Sequence, residues 1–141
     1  MQTTAADQEL ATRLRLAVAR TARRLRQASG TDLSPSLMAA LATIDRFGPL
    51  TPSELATRER VQRPTVTRLA ARLEEAELVA RAPDPADRRS ALITVAPAGR
   101  ALLDATRSRK DAFLSERLEA LAPEDRATLR RAAALLEGML E

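Results

Sequence analysis

The sequence predicts a mainly α-helical fold with one small β-hairpin. Aromatic residues make up only 1% of the 141 residues and apolar residues 45%, so the core has to be built from Leu, Ala, Val and Ile. Most of these apolar residues recur at helical spacing, and two short runs at 78–81 and 91–95 have the composition of paired strands. The length fits one domain, so we expect residues 1–141 to fold as a single domain.

Apolar stripes and capping residues mark the first two helices. Apolar residues recur along one face from Leu10 to Leu25, and Ser29-Gly30 ends this helix. Ser34-Pro35 then supplies an N-cap followed by a proline at the first helical position, and Gly48-Pro49 ends the second helix. Both helices are therefore bounded by recognisable signals.

A capping box opens the third helix. In Thr51-Pro52-Ser53-Glu54, the Thr hydroxyl and the Glu carboxylate can each accept the other residue's backbone N–H. We expect a break at Thr57 to Val61, followed by a fourth helix that has Pro64 in its first turn and ends at about Ala76. Two short helices joined in this way are typical of a helix-turn-helix.

A hairpin and two long helices follow. The predicted strands, Leu78–Arg81 and Ala91–Val95, enclose the Pro- and Asp-rich loop Ala82–Ser90. Pro97 opens a fifth helix and Pro123 a sixth. The predicted order is α, α, α, α, β, β, α, α, in which the hairpin is the wing of a winged helix-turn-helix.

The fourth helix has the composition of a helix that reads DNA. Its predicted inward stripe consists of Val66, Leu69, Ala70 and Leu73. The outer face is then small, hydroxylic and basic, and consists of Pro64, Thr65, Thr67, Arg68, Ala71 and Arg72. Four arginines and no acid lie between Arg60 and Leu73, whereas the helix dipole favours acids at the start of a helix. This reversed gradient indicates that the start of the helix approaches phosphates.

The tip of the hairpin carries Asp87-Arg88-Arg89. Two guanidiniums on a short loop suit a narrow minor groove, where the negative potential is strong. We expect Asp87 to pair with Arg89 and hold it extended.

Residues 50–103 resemble the MarR family of multiple-antibiotic-resistance-type regulators. The resemblance is carried by PTVTRL at Pro64–Leu69, LVAR at Leu78–Arg81, DPADRR at Asp84–Arg89 and PAGRALL from Pro97. The sequence departs from the family pattern in three places. Gln62 replaces the usual N-cap Ser, Glu59-Arg60 replaces a frequent Leu-Gly turn, and Glu77 stands where Gly often ends the helix.

The resemblance implies a homodimer that sets two recognition helices into successive major grooves of a palindromic double-stranded site. The winged helix-turn-helix lobe would span about residues 34–96, flanked by dimerisation helices at about 7–28 and 97–141. The predicted DNA-binding residues are Ser53, Gln62, Arg63, Pro64, Thr65, Thr67, Arg68, Arg72, Asp87, Arg88 and Arg89. By the same match, Ser53 and Arg72 would contact the DNA backbone and Arg89 the minor groove. The implied function is a transcriptional regulator, expected to be a repressor that a small ligand releases.

Missing residue types exclude several functions. The chain has no Cys and no His, so we expect no enzyme activity, no metal and no other cofactor. The same absences disfavour peroxide and zinc sensing, and the lack of Trp departs from the urate-responsive subgroup, which leaves a small lipophilic or phenolic effector with no assigned pocket residue. No apolar run reaches the roughly 18 residues of a membrane span, so the expected location is cytoplasmic.

Two other binding functions compete with duplex DNA. A winged helix used as a protein-interaction module is the alternative, but it predicts an apolar outer face where the fourth helix has Arg and Thr. Single-stranded RNA binding relies on stacked aromatic side chains, and the only two, Phe47 and Phe113, stand at positions expected to be buried. Duplex DNA is therefore the predicted partner.

Overall fold

The computed structural model describes residues 2–141, and these form six helices and one two-stranded sheet in the predicted order. The helices are α1 (Ala5–Ala28), α2 (Pro35–Phe47), α3 (Pro52–Glu59), α4 (Arg63–Glu75), α5 (Pro97–Glu119) and α6 (Pro123–Met139), and the strands are β1 (Val79–Pro83) and β2 (Ala91–Val95). The predicted fold class, mainly α with a β-hairpin wing, is confirmed.

The chain divides into two compact units. One unit spans Ser29–Arg107 and holds α2, α3, α4, the hairpin and the first half of α5. The other contains the chain up to Ala28 and from Ser108 onwards, and thus α1, the second half of α5, and α6.

The core of the Ser29–Arg107 unit is aliphatic. Its fully buried large side chains include Leu41 and Ile44 of α2, Leu55 of α3, Val66 and Leu73 of α4, and Ile93 of β2. The strands are antiparallel, with Val79 opposite Val95. Leu50 exchanges backbone hydrogen bonds with Ile93 at 3.0 and 2.7 Å, so the segment before α3 is tied to the free side of β2. This bridge fixes where α3 begins relative to the wing.

The first half of α5 is held against both the hairpin and α2. Gly99 is buried, and a Cβ placed there would lie only 2.1 Å from the Leu78 carbonyl oxygen. Glycine is needed at this position because the helix backbone approaches the backbone just before β1 too closely for any side chain. On the α2 side, Nε of Arg100 lies 3.3 Å from Oδ1 of Asp45.

Several element boundaries differ from those predicted. Helix α1 begins at Ala5 rather than at Leu10, because the Asp7 carboxylate accepts the Thr4 backbone N–H at 3.2 Å and the Thr4 hydroxyl accepts the Asp7 N–H at 3.1 Å. The hydrogen bonds from Thr4 lower the pKa of Asp7 below its usual 3.8. Strand β1 lies one to two residues later than predicted and includes Pro83.

In the unit formed by the two ends of the chain, the predicted apolar stripe of α1 is present but exposed. No residue of α1 or α6 among those described is buried. Leu10 is 54% exposed, Leu135 55% and Met139 73%. Exposed apolar faces on two long helices are not explained by packing within one chain.

The expectation that both aromatic rings are buried is wrong for Phe47, which is 42% exposed at the end of α2. The guanidinium of Arg58 lies 3.7 Å and that of Arg46 5.1 Å from its ring centroid, so cation–π contacts cover part of the ring. Phe113 is half-buried, with the guanidinium of Arg117 at 3.4 Å.

Candidate nucleic-acid interface

The turn between α3 and α4 is built by backbone geometry at Arg60. Arg60 adopts the left-handed conformation (φ 55°), and the Val61 N–H donates to the Ala56 carbonyl at 3.1 Å, a closure typical of helix C-termini. Helix α3 therefore continues through Thr57 to Glu59, and the break is shorter and later than the predicted Thr57–Val61.

At the start of α3, the Thr51 hydroxyl accepts the Glu54 N–H at 3.2 Å, as predicted. Between these two described residues, the reciprocal bond from the Glu54 carboxylate to the Thr51 backbone is not formed. The capping box is thus half complete, and the Glu54 carboxylate faces solvent.

The predicted faces of α4 are confirmed. Val66, Ala70 and Leu73 are buried and Leu69 is half-buried. Thr65 is half-buried, and the other predicted outward residues are exposed: Pro64, Thr67, Arg68, Ala71 and Arg72. The outer face is therefore continuous, accessible and free of acid until Glu74.

The structure brings two predicted site residues from different helices together. Nη1 of Arg63, in the first turn of α4, donates to Oγ of Ser53, in the first turn of α3, at 2.8 Å. One turn further along α4, the Thr67 hydroxyl donates to the Arg63 carbonyl at 3.1 Å. Gln62 occupies the N-cap position of α4 and makes no side-chain capping bond, so its amide is exposed and available.

The first acid of α4, Glu74, is engaged by the wing and not by the basic face. Glu74 pairs with Arg81 of β1, with Oε2 and Nε 2.6 Å apart, so the first acid of the helix is neutralised by the wing. Throughout the described residues 2–141, no ion pair involves Arg68 or Arg72. Their guanidiniums are therefore available to an external anion.

The wing loop is shaped by two aspartates. Oδ1 of Asp84 accepts the Ala86 N–H at 2.9 Å, and Oδ1 of Asp87 accepts the Arg89 N–H at 2.9 Å. The predicted pairing of Asp87 with the Arg89 side chain is wrong, because the carboxylate binds the Arg89 backbone in a local turn instead. Arg88 and Arg89 are exposed and, within the part of the chain that is described, take part in no ion pair.

The contact that joins wing to helix was not predicted. Arg81 belongs to the LVAR segment, and its pairing with Glu74 links β1 to the end of α4. The sequence signal that could have predicted this contact is the alternation of side chains along the strand. It turns Arg81 to the same face as buried Val79, toward the acidic end of the preceding helix.

Metal sites and membrane-spanning helices were also considered for residues 2–141. No group of three or more Asp and Glu side chains there is arranged to hold a metal ion. None of the described helices is long and apolar enough to cross a membrane.

A short helix pair with a free basic face, followed by a two-stranded wing, defines a winged helix-turn-helix protein of the DNA-binding regulator class. The family model of the MarR family matches residues 33–91. The HTH-type transcriptional regulator MT0903.1 of Mycobacterium tuberculosis is 40% identical over 136 residues, which cover 96% of this chain and 95% of that protein. The chain belongs to the MarR family of transcriptional regulators.

Solved structures agree with this assignment. A transcriptional regulator from Pseudomonas aeruginosa is 33% identical, with 98% of both chains covered and a TM-score of 0.89. A MarR family protein from Bacillus stearothermophilus is 25% identical, with 94% of this chain and 93% of that chain covered and a TM-score of 0.79. Members of this family are DNA-binding regulators and not enzymes, as the sequence predicted.

Proposed function

We propose that the protein is a sequence-specific repressor that binds a palindromic operator as a homodimer and is released by a small molecule. The observation that carries the proposal is the outer face of α4, which presents the unpaired guanidiniums of Arg68 and Arg72 among small side chains. Such a face suits the major groove of duplex DNA. Because an operator lies on the chromosome, this function requires the protein to act in the cytoplasm.

The wing supplies the second contact. Arg88 and Arg89 are exposed on a loop whose backbone the Asp84 and Asp87 turns hold in shape, so little backbone ordering is needed when they enter the minor groove. The partly exposed Arg81–Glu74 ion pair links the base of the wing to α4, which favours simultaneous binding in both grooves.

A homodimer accounts for the exposed apolar faces of α1 and α6. Fully burying one Leu or Val side chain is worth about 1.5–3 kcal/mol, and these helices expose several, including Leu10, Val18, Leu129 and Leu135. A second copy of the chain can cover them, and the two α4 helices would then address two half-sites.

We propose a small lipophilic or phenolic molecule as the effector. It would release the operator by binding better to a dimer whose recognition helices are wrongly spaced, since only differential affinity can shift such an equilibrium. No residue is assigned to its pocket.

Selection from random duplexes tests operator binding. We expect one preferred palindrome with half-sites about one helical turn apart, roughly 34–36 Å, and a steep decrease in affinity with salt. Arg89→Ala should weaken binding to selected and unrelated duplexes to a similar extent, because a minor-groove guanidinium reads few bases. Equal affinity of the wild-type protein for all duplexes would contradict a sequence-specific regulator.

The alternative is a winged helix that binds another protein. The exposed face of α4 argues against it, because its large side chains are charged and its apolar ones are the small Pro64 and Ala71. An absence of any salt-dependent DNA binding would favour this alternative.

A further inference from the structure

The four arginines of the turn and of α4 are not equivalent in the structure. Counted from buried Val66 at about 100° per residue, Arg63 lies about 60° away and Arg68 about 200° away. Arg63 is thus on the flank of the helix, where its guanidinium is held by Ser53 at 2.8 Å. Arg68 is at the centre of the outer face and has no ion-pair partner among the described residues.

The neighbours of Arg68 leave it room to reach outward. Residues three and four positions away share a helix face, which places Pro64 and Ala71 beside Arg68. Both are exposed, small and apolar. Thr65 and Arg72 are its other neighbours by the same spacing. The two low apolar side chains leave room for the Arg68 guanidinium to approach a base edge.

The hydrogen bond of Thr67 further limits which side chains of α4 can donate to a base. Its hydroxyl proton is committed to the Arg63 carbonyl at 3.1 Å, so the side chain can offer a base only a methyl group and an acceptor lone pair. With Arg63 held on the flank by Ser53, the strong donors that face outward for a base are the side chains of Arg68 and Arg72, and of Gln62 at the start of α4.

We propose that each operator half-site contains a guanine read by Arg68, with a neighbouring thymine whose methyl group packs on Pro64 or Ala71, and that Ser53-held Arg63 contacts a phosphate. Arginine matches the O6 and N7 acceptors of guanine with two hydrogen bonds, and small apolar side chains match the thymine methyl. The proposal rests on the proposed operator function and names two of the bases that the protein would recognise in each half-site.

The test uses the full-length wild-type protein and the duplex selected from random sequence. Each guanine is replaced in turn by 7-deazaguanine, which lacks the N7 acceptor, and each thymine by uracil, which lacks the methyl group. We expect one guanine per half-site whose replacement weakens wild-type binding about tenfold, the loss expected from one good base contact. An adjacent thymine should show a smaller loss.

Arg68→Ala and Arg63→Ala form a matched pair, since both remove one guanidinium from the same exposed helix. Arg68→Ala should bind the 7-deazaguanine and the normal duplex equally well. Arg63→Ala should keep the full 7-deazaguanine effect while its salt slope decreases by about one.

Three results would overturn the proposal: no guanine sensitive to loss of N7, a sensitivity that persists in Arg68→Ala, or one that disappears in Arg63→Ala. If every thymine can be replaced by uracil without loss of affinity, the proposed thymine contact is wrong. If selection yields no preferred duplex at all, it is the operator function that fails, and the two failures are thereby distinguished.

Discussion

Arg60 and Glu77 end the two helices of the helix-turn-helix in the left-handed conformation, with φ of 55° and 59°. After α4, the Leu78 N–H donates to the Leu73 carbonyl at 2.9 Å, so the chain turns into β1 only if Glu77 keeps this conformation. A β-carbon makes the left-handed region costly by about 1–2 kcal/mol. Both positions are among those where the sequence departs from a family pattern that favours glycine.

Glu77→Gly should therefore stabilise the protein by about 0.5–1 kcal/mol, because glycine removes the steric cost while losing some entropy on folding. Chemical denaturation measures the change. Ala71→Gly, inside α4, is the control and should lower the free energy of unfolding by about 1 kcal/mol. A loss of similar size in both variants would show that the Glu77 side chain contributes more than its backbone strain costs.

Individual contacts were predictable only where periodicity or a capping motif determines them, as at Thr51 and Glu54. The exposure of Arg68 and the burial of Val66 follow from helical spacing alone. The Arg63–Ser53 hydrogen bond depends on how α3 and α4 cross. The Asp87 turn depends on whether the carboxylate binds the backbone N–H of Arg89 or its guanidinium. Helical spacing determines neither contact.

At the scale of elements, α5 approaches β1 through one glycine. Gly99 lies against the Leu78 carbonyl, and the Ala96 N–H donates to the same oxygen at 2.9 Å. The start of α5 and the residue just before β1 thus meet around one peptide group. Any shift there moves the wing relative to α4, because β1 follows directly.

Gly99→Ala should destabilise the Ser29–Arg107 unit by about 1–3 kcal/mol, the usual cost of an added methyl group in a packed region. Its Cβ would lie 2.1 Å from a backbone oxygen, which cannot move as a flexible side chain does. Thermal unfolding measures the loss. Gly138→Ala on α6 adds the same methyl group with nothing within 4 Å and should cause no loss. Equal stability of both variants would rule out the close approach.

The order and type of all eight elements were predictable because stripes and caps mark each of them. Their ends were less so. The early start of α1 was missed although Thr4 and Asp7 have the spacing of a capping box, since the apolar stripe, which begins at Leu10, was used to place the start. The end of α3 was misplaced because a left-handed Arg60 is not expected from its residue type.

At the scale of the whole molecule, the apolar side chains of the two units are unequally covered within one chain. The Ser29–Arg107 unit has a continuous aliphatic core, whereas α1 and α6 bury no residue among those described. A sequence stripe predicts that a helix face is buried but not which surface buries it. This is why the apolar periodicity of α1 did not by itself predict its exposure in a single chain, which only the family resemblance implied, through a dimer.

If a second copy covers these faces, a charge placed on them should separate the copies. Leu135→Glu replaces a 55% exposed apolar side chain of α6, so it should leave the fold of one chain intact while burying an unpaired carboxylate in the dimer. We expect sedimentation to show a change from two chains to one, together with loss of preference for a palindrome over a single half-site. Phe47→Glu is the control, since it changes another exposed apolar residue, 42% exposed and in the other unit, and leaves its carboxylate beside Arg46 and Arg58. A Leu135→Glu protein that remains dimeric and keeps its palindrome preference would mean that α6 does not hold the copies together through this face.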